Sequence, residues 1–159
     1  MNAATAKRLN LSVQYASRDQ ADELPARAEL RAWSRAALDV DGKRGAQITI
    51  RFVDADEGRA LNRNYRGKDA PTNVLSFVYE SEPLLQGDLV ICAPVVAREA
   101  VKQGKTLKAH HAHLVVHGLL HLLGDDHETG EDDARRMENR ERAILASLGF
   151  TDPYRGEDR

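Results

Sequence analysis

The segment 107–123 constrains this chain most, because it is apolar nearly all round and still carries histidines at helical spacing. Leu107, Val115, Leu119 and Leu122 cover different faces of a helix, which leaves no solvent stripe and places the helix at the centre of the molecule. His110, His113, His117 and His121 recur at three and four along it. His117 and His121 stand one turn apart, so their imidazoles stack on one face about 6 Å apart along the axis. Gly124 predicts a left-handed stop that turns the chain back and brings His127 to the same point from outside the helix. Three neutral nitrogens at H-x-x-x-H-x-x-G-x-x-H suit one zinc ion and leave a fourth tetrahedral position for water, the mark of a catalytic rather than a structural site. The expectation is one Zn2+ per chain, held by His117, His121 and His127.

Metzincin peptidases share this spacing but place Glu directly after the first His as general base. Here that position is Gly118, so the cage is present without the peptidase base, and another hydrolytic reaction is expected. A glycine inside a helix costs about 1 kcal/mol against alanine. Gly118 therefore gives room, either for substrate over the metal or for close backbone packing. With three ligands in hand, His110, His111 and His113 are expected at the surface, as hydrogen-bonded core residues, or as outer partners of the ligands.

The 159 residues suffice for one domain with a real core, taken as 1–159 with a tail from about 151. A 42% hydrophobic and 30% charged composition is that of an ordinary globular protein. No apolar run is long enough to span a bilayer, and the first thirty residues lack the basic start and apolar middle of a secretion signal. A cytoplasmic protein without membrane partner or organic cofactor is expected. The single cysteine, Cys92, lies in the apolar run Leu89-Val90-Ile91-Cys92 and reads as a small buried hydrophobe, which leaves zinc to nitrogen and oxygen ligands.

Alternating apolar residues predict strands at 9–16 and 47–53, and helical spacing of Leu24, Ala28, Trp33 and Ala37 predicts a helix over 23–39. Asp54 or Asp56 can cap a helix over 56–65. Apolar runs at 73–79 and 88–93 read as strands, and Pro94 opens a helix that stops near Gly104. Thr106 caps the 107–123 helix, and Thr129 with Asp132 resembles a capping pair for a last helix ending at Gly149. The order βαβαββααα predicts an α+β domain in which a small mixed sheet is covered by helices.

Four segments in order carry a resemblance to a known family. His113 to His127 resembles the signature H-G-x-L-H-L-x-G-Y-D-H of the YbeY family of bacterial endoribonucleases, also called rRNA maturation factors. Leu61 to Asp69 with Pro71 to Phe77, then Gly87 to Cys92, and finally Met137, Glu138, Ile144, Leu145, Leu148 to Phe150, Pro153 and Tyr154 match further motifs, so that the resemblance covers about 46 to 154. The family usually has Tyr where Asp125 stands; Asp is also common at the place of Asn73, and Pro often follows Phe77 where this chain has Val78. The resemblance implies a zincin-like (metalloprotease-like) fold and a zinc-dependent, single-strand-specific endoribonuclease of the cytoplasm. Its implied substrate is ribosomal RNA, at the 3′ end of the small-subunit precursor, with a further role in ribosome quality control and the small ribosomal subunit as partner. By the same resemblance the metal ligands are His117, His121 and His127, and Arg66 is the functional basic residue beside His117 at the catalytic centre.

The chemistry agrees in outline. Zinc lowers the pKa of its water toward about 7 and polarises phosphoryl oxygens. Arg66 offers a planar fork that matches a phosphate. Asp126 is the carboxylate nearest a ligand in sequence, either as base or as a partner that orients His127; a ribose hydroxyl could replace water as nucleophile. The net charge of −2 gives nucleic acid little encouragement. Yet Arg59, Arg63 and Arg66 fall at i, i+4 and i+7 and lead to Lys68, which makes Arg59, Arg63 and Lys68 candidate RNA contacts or simply a solvated face. Two rival classes are a zinc hydrolase of another substrate and a non-catalytic ribosome-assembly factor with structural zinc.

Overall fold

The computed structural model describes residues 8–18, 21–38, 45–124 and 130–154. The elements are β1 (Leu9–Tyr15), a single turn of tight helix (Ala21–Glu23), α1 (Arg27–Leu38), β2 (Ala46–Val53), α2 (Ala55–Arg66), β3 (Val74–Glu80), β4 (Leu85–Cys92), α3 (Ala93–Gln103), α4 (Leu107–Leu122) and α5 (Glu131–Ser147). This is the expected order. Among the described residues no helix is long and apolar enough to cross a membrane.

The four strands form one sheet in the order β1-β2-β4-β3. β1, β2 and β4 run parallel, with Leu9 opposite Ala46 and Ala46 opposite Leu85, whereas β3 returns antiparallel to β4 and forms an edge. Parallel neighbours need a crossover rather than a tight turn, and α1 supplies it between β1 and β2. The central strands are covered on both faces, which is why β4 reads as a continuous apolar run after Asp88. Ile48, Ile50, Phe52, Leu89 and Ile91 pack with Leu30 and Trp33 of α1, Val115 and Leu119 of α4, and Met137 and Leu145 of α5. Val53, Val90 and Cys92 point the other way and form a smaller cluster with Leu75 and Val95, against which Leu61 and Phe77 pack. Cys92 is a free, buried thiol, as its apolar neighbours predict.

Local signals fixed most helix ends. Thr106 accepts a hydrogen bond from the Ala109 amide at 3.1 Å and caps α4. Gly104 closes α3 and Gly67 closes α2, with φ of 68° and 73°. α1 starts at Arg27 rather than 23, because Pro25 disfavours helical backbone at Leu24 and the Glu29 carboxylate accepts from the Ala26 amide at 3.0 Å, as a capping residue does. α5 starts at Glu131 after Gly130; the proposed cap Thr129 lies outside the described residues.

Gly118 is explained by packing. A Cβ there would stand 2.8 Å from Cδ2 of Leu89 and 3.4 Å from Oγ of Ser76, so α4 presses directly onto β4 and β3. Ser76 Oγ donates to the Gly118 carbonyl at 3.4 Å. Of the two reasons the sequence allowed, close backbone approach is the one found, and it seats the histidine pair beside edge strand β3.

Candidate metal centre and cleft

A cleft of about 620 Å³ opens between the end of α2, strand β3 and the second half of α4. His117 and His121 line it from α4, Arg66 and Tyr65 from the last turn of α2, and Ser76 and Phe77 from β3. Residues far apart in sequence thus converge because Gly118 lets α4 approach the sheet edge and Gly67 ends α2 at the rim.

Behind His117 stands a buried carboxylate. Glu141 of α5 is fully buried and receives three donors: His117 Nδ1 at 2.6 Å, His113 Nε2 at 2.9 Å and the Tyr154 hydroxyl. Burial alone would push the Glu141 carboxyl up, but hydrogen bonds from His113 and His117 outweigh it and hold the group at about 2. Burial also pushes the His113 imidazole down, which favours a neutral His113 ring as donor to Glu141. The donation from Nδ1 fixes the His117 tautomer and puts its lone pair on Nε2, the ligand atom a metal needs.

The donor atoms of His113, His117 and Glu141 lie within 4.8 Å of one another and could hold a metal ion themselves. Ligands of one tetrahedral zinc stand about 3.3 Å apart, given bond lengths near 2.0–2.1 Å. The 2.6 and 2.9 Å separations are shorter and match hydrogen bonds. In this geometry Glu141 serves as the hydrogen-bond acceptor behind His113 and His117, while His117 and His121 both face the cleft as its lining. His127 and Asp126 lie outside the described residues.

The other histidines of α4 are core residues. His110 Nε2 lies 2.9 Å from Glu99, which also accepts from Asn73 at 3.1 Å. His111 packs edge-on to Phe52, and burial pushes its pKa down to about 4.

The basic stripe divides. Arg59 makes a two-pronged bond to Asp69 at 2.7 and 2.8 Å, and Arg63 stands 3.9 Å from the same carboxylate. Arg59, Arg63 and Lys68 are exposed and do not line the cleft, whereas Arg66 lines it and makes no ion pair among the described residues.

The model of one family, Endoribonuclease YbeY, matches residues 13–149. The chain belongs to the endoribonuclease YbeY family. That is a family of hydrolases acting on RNA. A relative from Methylibium petroleiphilum, named Endoribonuclease YbeY, is 55% identical over 146 residues, covering 92% of this chain and 94% of its own. One of the same name from Methylobacillus flagellatus is 53% identical over 152 residues, covering 96% and 97%. A solution structure of a Thermotoga maritima protein superposes with a TM-score of 0.54 at 21% identity, over 92% of this chain and 99% of that one, a likeness of fold.

Glu141 is a site residue that sequence reasoning misses, although the sequence holds a signal for it. Met137, Glu141, Ile144 and Leu145 are the buried residues of α5, so Glu141 interrupts an apolar stripe, and a charge in that place needs partners. Glu141→Gln is expected to weaken metal binding about tenfold, because an amide accepts at only one of the two ends that meet the rings, and one imidazole must change tautomer or lose its bond. Chelator competition measures it, and an unchanged affinity would leave Glu141 a purely structural residue.

Proposed function

We propose that the chain is a zinc-dependent, single-strand-specific endoribonuclease of the cytoplasm that matures the 3′ end of small-subunit ribosomal RNA and serves in ribosome quality control. The observation that carries this reading is the meeting of Arg66, His117 and His121 in one cleft of a chain belonging to the endoribonuclease YbeY family. His117, His121 and His127 would hold one zinc ion. When bound, the ion supplies a water of lowered pKa and a Lewis acid for a phosphoryl oxygen. Glu141 keeps His117 in the ligating tautomer. Arg66 meets the scissile phosphate with its planar fork and offsets charge that develops on the oxygens. α1, α3 and α5 pack against the ligand helix α4, and the cleft opens at edge strand β3, so access is from the strand edge.

The test couples metal analysis to cleavage of single-stranded and duplex RNA by the purified protein and by His117→Ala. Cleavage of single strands that vanishes together with zinc supports the reading; undiminished cleavage by His117→Ala overturns it. Arg63 supplies a second measurement. Arg63→Gln should lower the slope of log affinity against log salt by about one, and an unchanged slope would put the RNA elsewhere.

One observation favours a second reading. Edge strand β3 lines the cleft and has an open side on which an extended peptide could pair, as a peptidase substrate does. Gly118 in place of the metzincin glutamate weighs against it, and a casein degradation assay separates the two.

A further inference from the structure

Tyr65 presents an aromatic ring to solvent at the mouth of the cleft, directly beside Arg66 in sequence. It is 67% exposed, unusual for a large ring in the last turn of an amphipathic helix. It is also held in place. Its ring stands 5.0 Å from that of Phe77, centroid to centroid, at an interplanar angle of 68°. Phe77 is anchored in turn against the cluster of Val53, Leu75, Val90, Cys92 and Val95. Edge-to-face contact fixes a ring without covering both its faces, and whichever ring supplies the edge, at least one face of Tyr65 stays open.

Two polar side chains of the cleft wall, Asn73 and Ser76, are already engaged. Asn73 donates to Glu99 at 3.1 Å and accepts from the Val74 amide at 2.7 Å, and Ser76 donates to the Gly118 carbonyl at 3.4 Å. That leaves chiefly the Thr72 hydroxyl in this wall to read the edge of a base. An open π-face beside an arginine without an ion pair among the described residues offers something different, a stacking surface next to a phosphate contact.

We infer that Tyr65 is a base-stacking platform: one nucleobase of single-stranded RNA lies on its open face while the adjoining phosphate meets Arg66. The inference rests on the endoribonuclease reading and adds to it how the cleft selects its substrate. A base in a duplex is stacked on both sides and has no face to give, so the platform rejects helices. Stacking tolerates every base, because each has a π-face, so the position shows little sequence preference among single strands.

Single-turnover cleavage of an end-labelled oligouridine, with zinc-loaded protein in excess, reads the half-saturating concentration and the maximal rate separately. Tyr65→Leu keeps an apolar contact for Phe77 and removes the π-face. It is expected to raise the half-saturating concentration about tenfold, the usual cost of losing one stacked base, with a smaller effect on the maximal rate. Tyr65→Phe and Tyr65→Trp keep the face and should stay near wild type. The salt slope should be the same in all of them, because no charge changes. A 2-aminopurine in the oligonucleotide should be quenched by the wild type and by Tyr65→Phe, and not by Tyr65→Leu. Wild-type saturation and quenching by a folded Tyr65→Leu would overturn the platform and leave the nuclease reading standing. A loss in Tyr65→Phe equal to that in Tyr65→Leu would overturn it in favour of the hydroxyl. A wild-type protein that neither binds nor cleaves the oligouridine would overturn both.

Discussion

His121→Ala is expected to strip the protein of most of its zinc and to lower RNA cleavage on the order of a thousandfold. His121 lines the cleft one turn beyond His117, and its side chain is exposed, so alanine opens no cavity in the core. Thermal stability without metal should therefore stay near wild type, whereas a core histidine such as His111 could not be removed so cheaply. Loss of one of three nitrogen ligands leaves two, too few for a stable catalytic site. The metal's share of the barrier is several kcal/mol, and each 1.36 kcal/mol is a factor of ten in rate, which gives the magnitude. Atomic absorption on the purified variant and a cleavage assay measure the two parts. Normal zinc content would refute the three-histidine site, and full cleavage without zinc would refute metal-dependent chemistry.

Arg66→Lys comes next, with an expected fall of about a hundredfold in the maximal cleavage rate. Lysine keeps the charge and loses the planar fork, so the exchange is conservative only in sign. A structural ion pair does not account for Arg66: Asp69, three residues on, is held by Arg59 through both oxygens. The substitution should then leave fold, zinc content and the Arg59–Asp69 pair untouched, with only a modest fall in RNA affinity. Single-turnover kinetics with enzyme in excess separates binding from chemistry. Wild-type rates at saturation would make Arg66 a phosphate anchor alone, and an unfolded variant would make it a structural residue.

The parts of this molecule that sequence disclosed are those governed by neighbours along the chain. The central position of α4, its Thr106 cap and the stops at Gly67 and Gly104 follow from periodicity and from glycine's access to left-handed backbone. The strand order β1-β2-β4-β3 was not legible beyond a mixed sheet, since pairing depends on partners tens of residues away. Gly118 shows the limit well: its spacing announced a need for room, but only the position of Leu89 tells what occupies that room. The same holds for Glu141, 24 residues from His117 on another helix, and for the choice of Arg59 over Arg66 by Asp69.

The segment after α5 has a practical bearing on how this protein should be handled. Sequence marked a tail from about residue 151, yet Tyr154 reaches back to Glu141, its ring lies 5.0 Å from the Arg142 guanidinium, and Asp152 accepts from Arg142 at 3.1 Å. Trimming at Phe150, a natural choice of boundary for crystallisation, would withdraw one of the three donors that hold the carboxylate behind His117. An affinity tag or fusion partner is accordingly better joined at the amino-terminal end, and a shortened version that loses activity should be checked for residue 154 before any catalytic side chain is blamed.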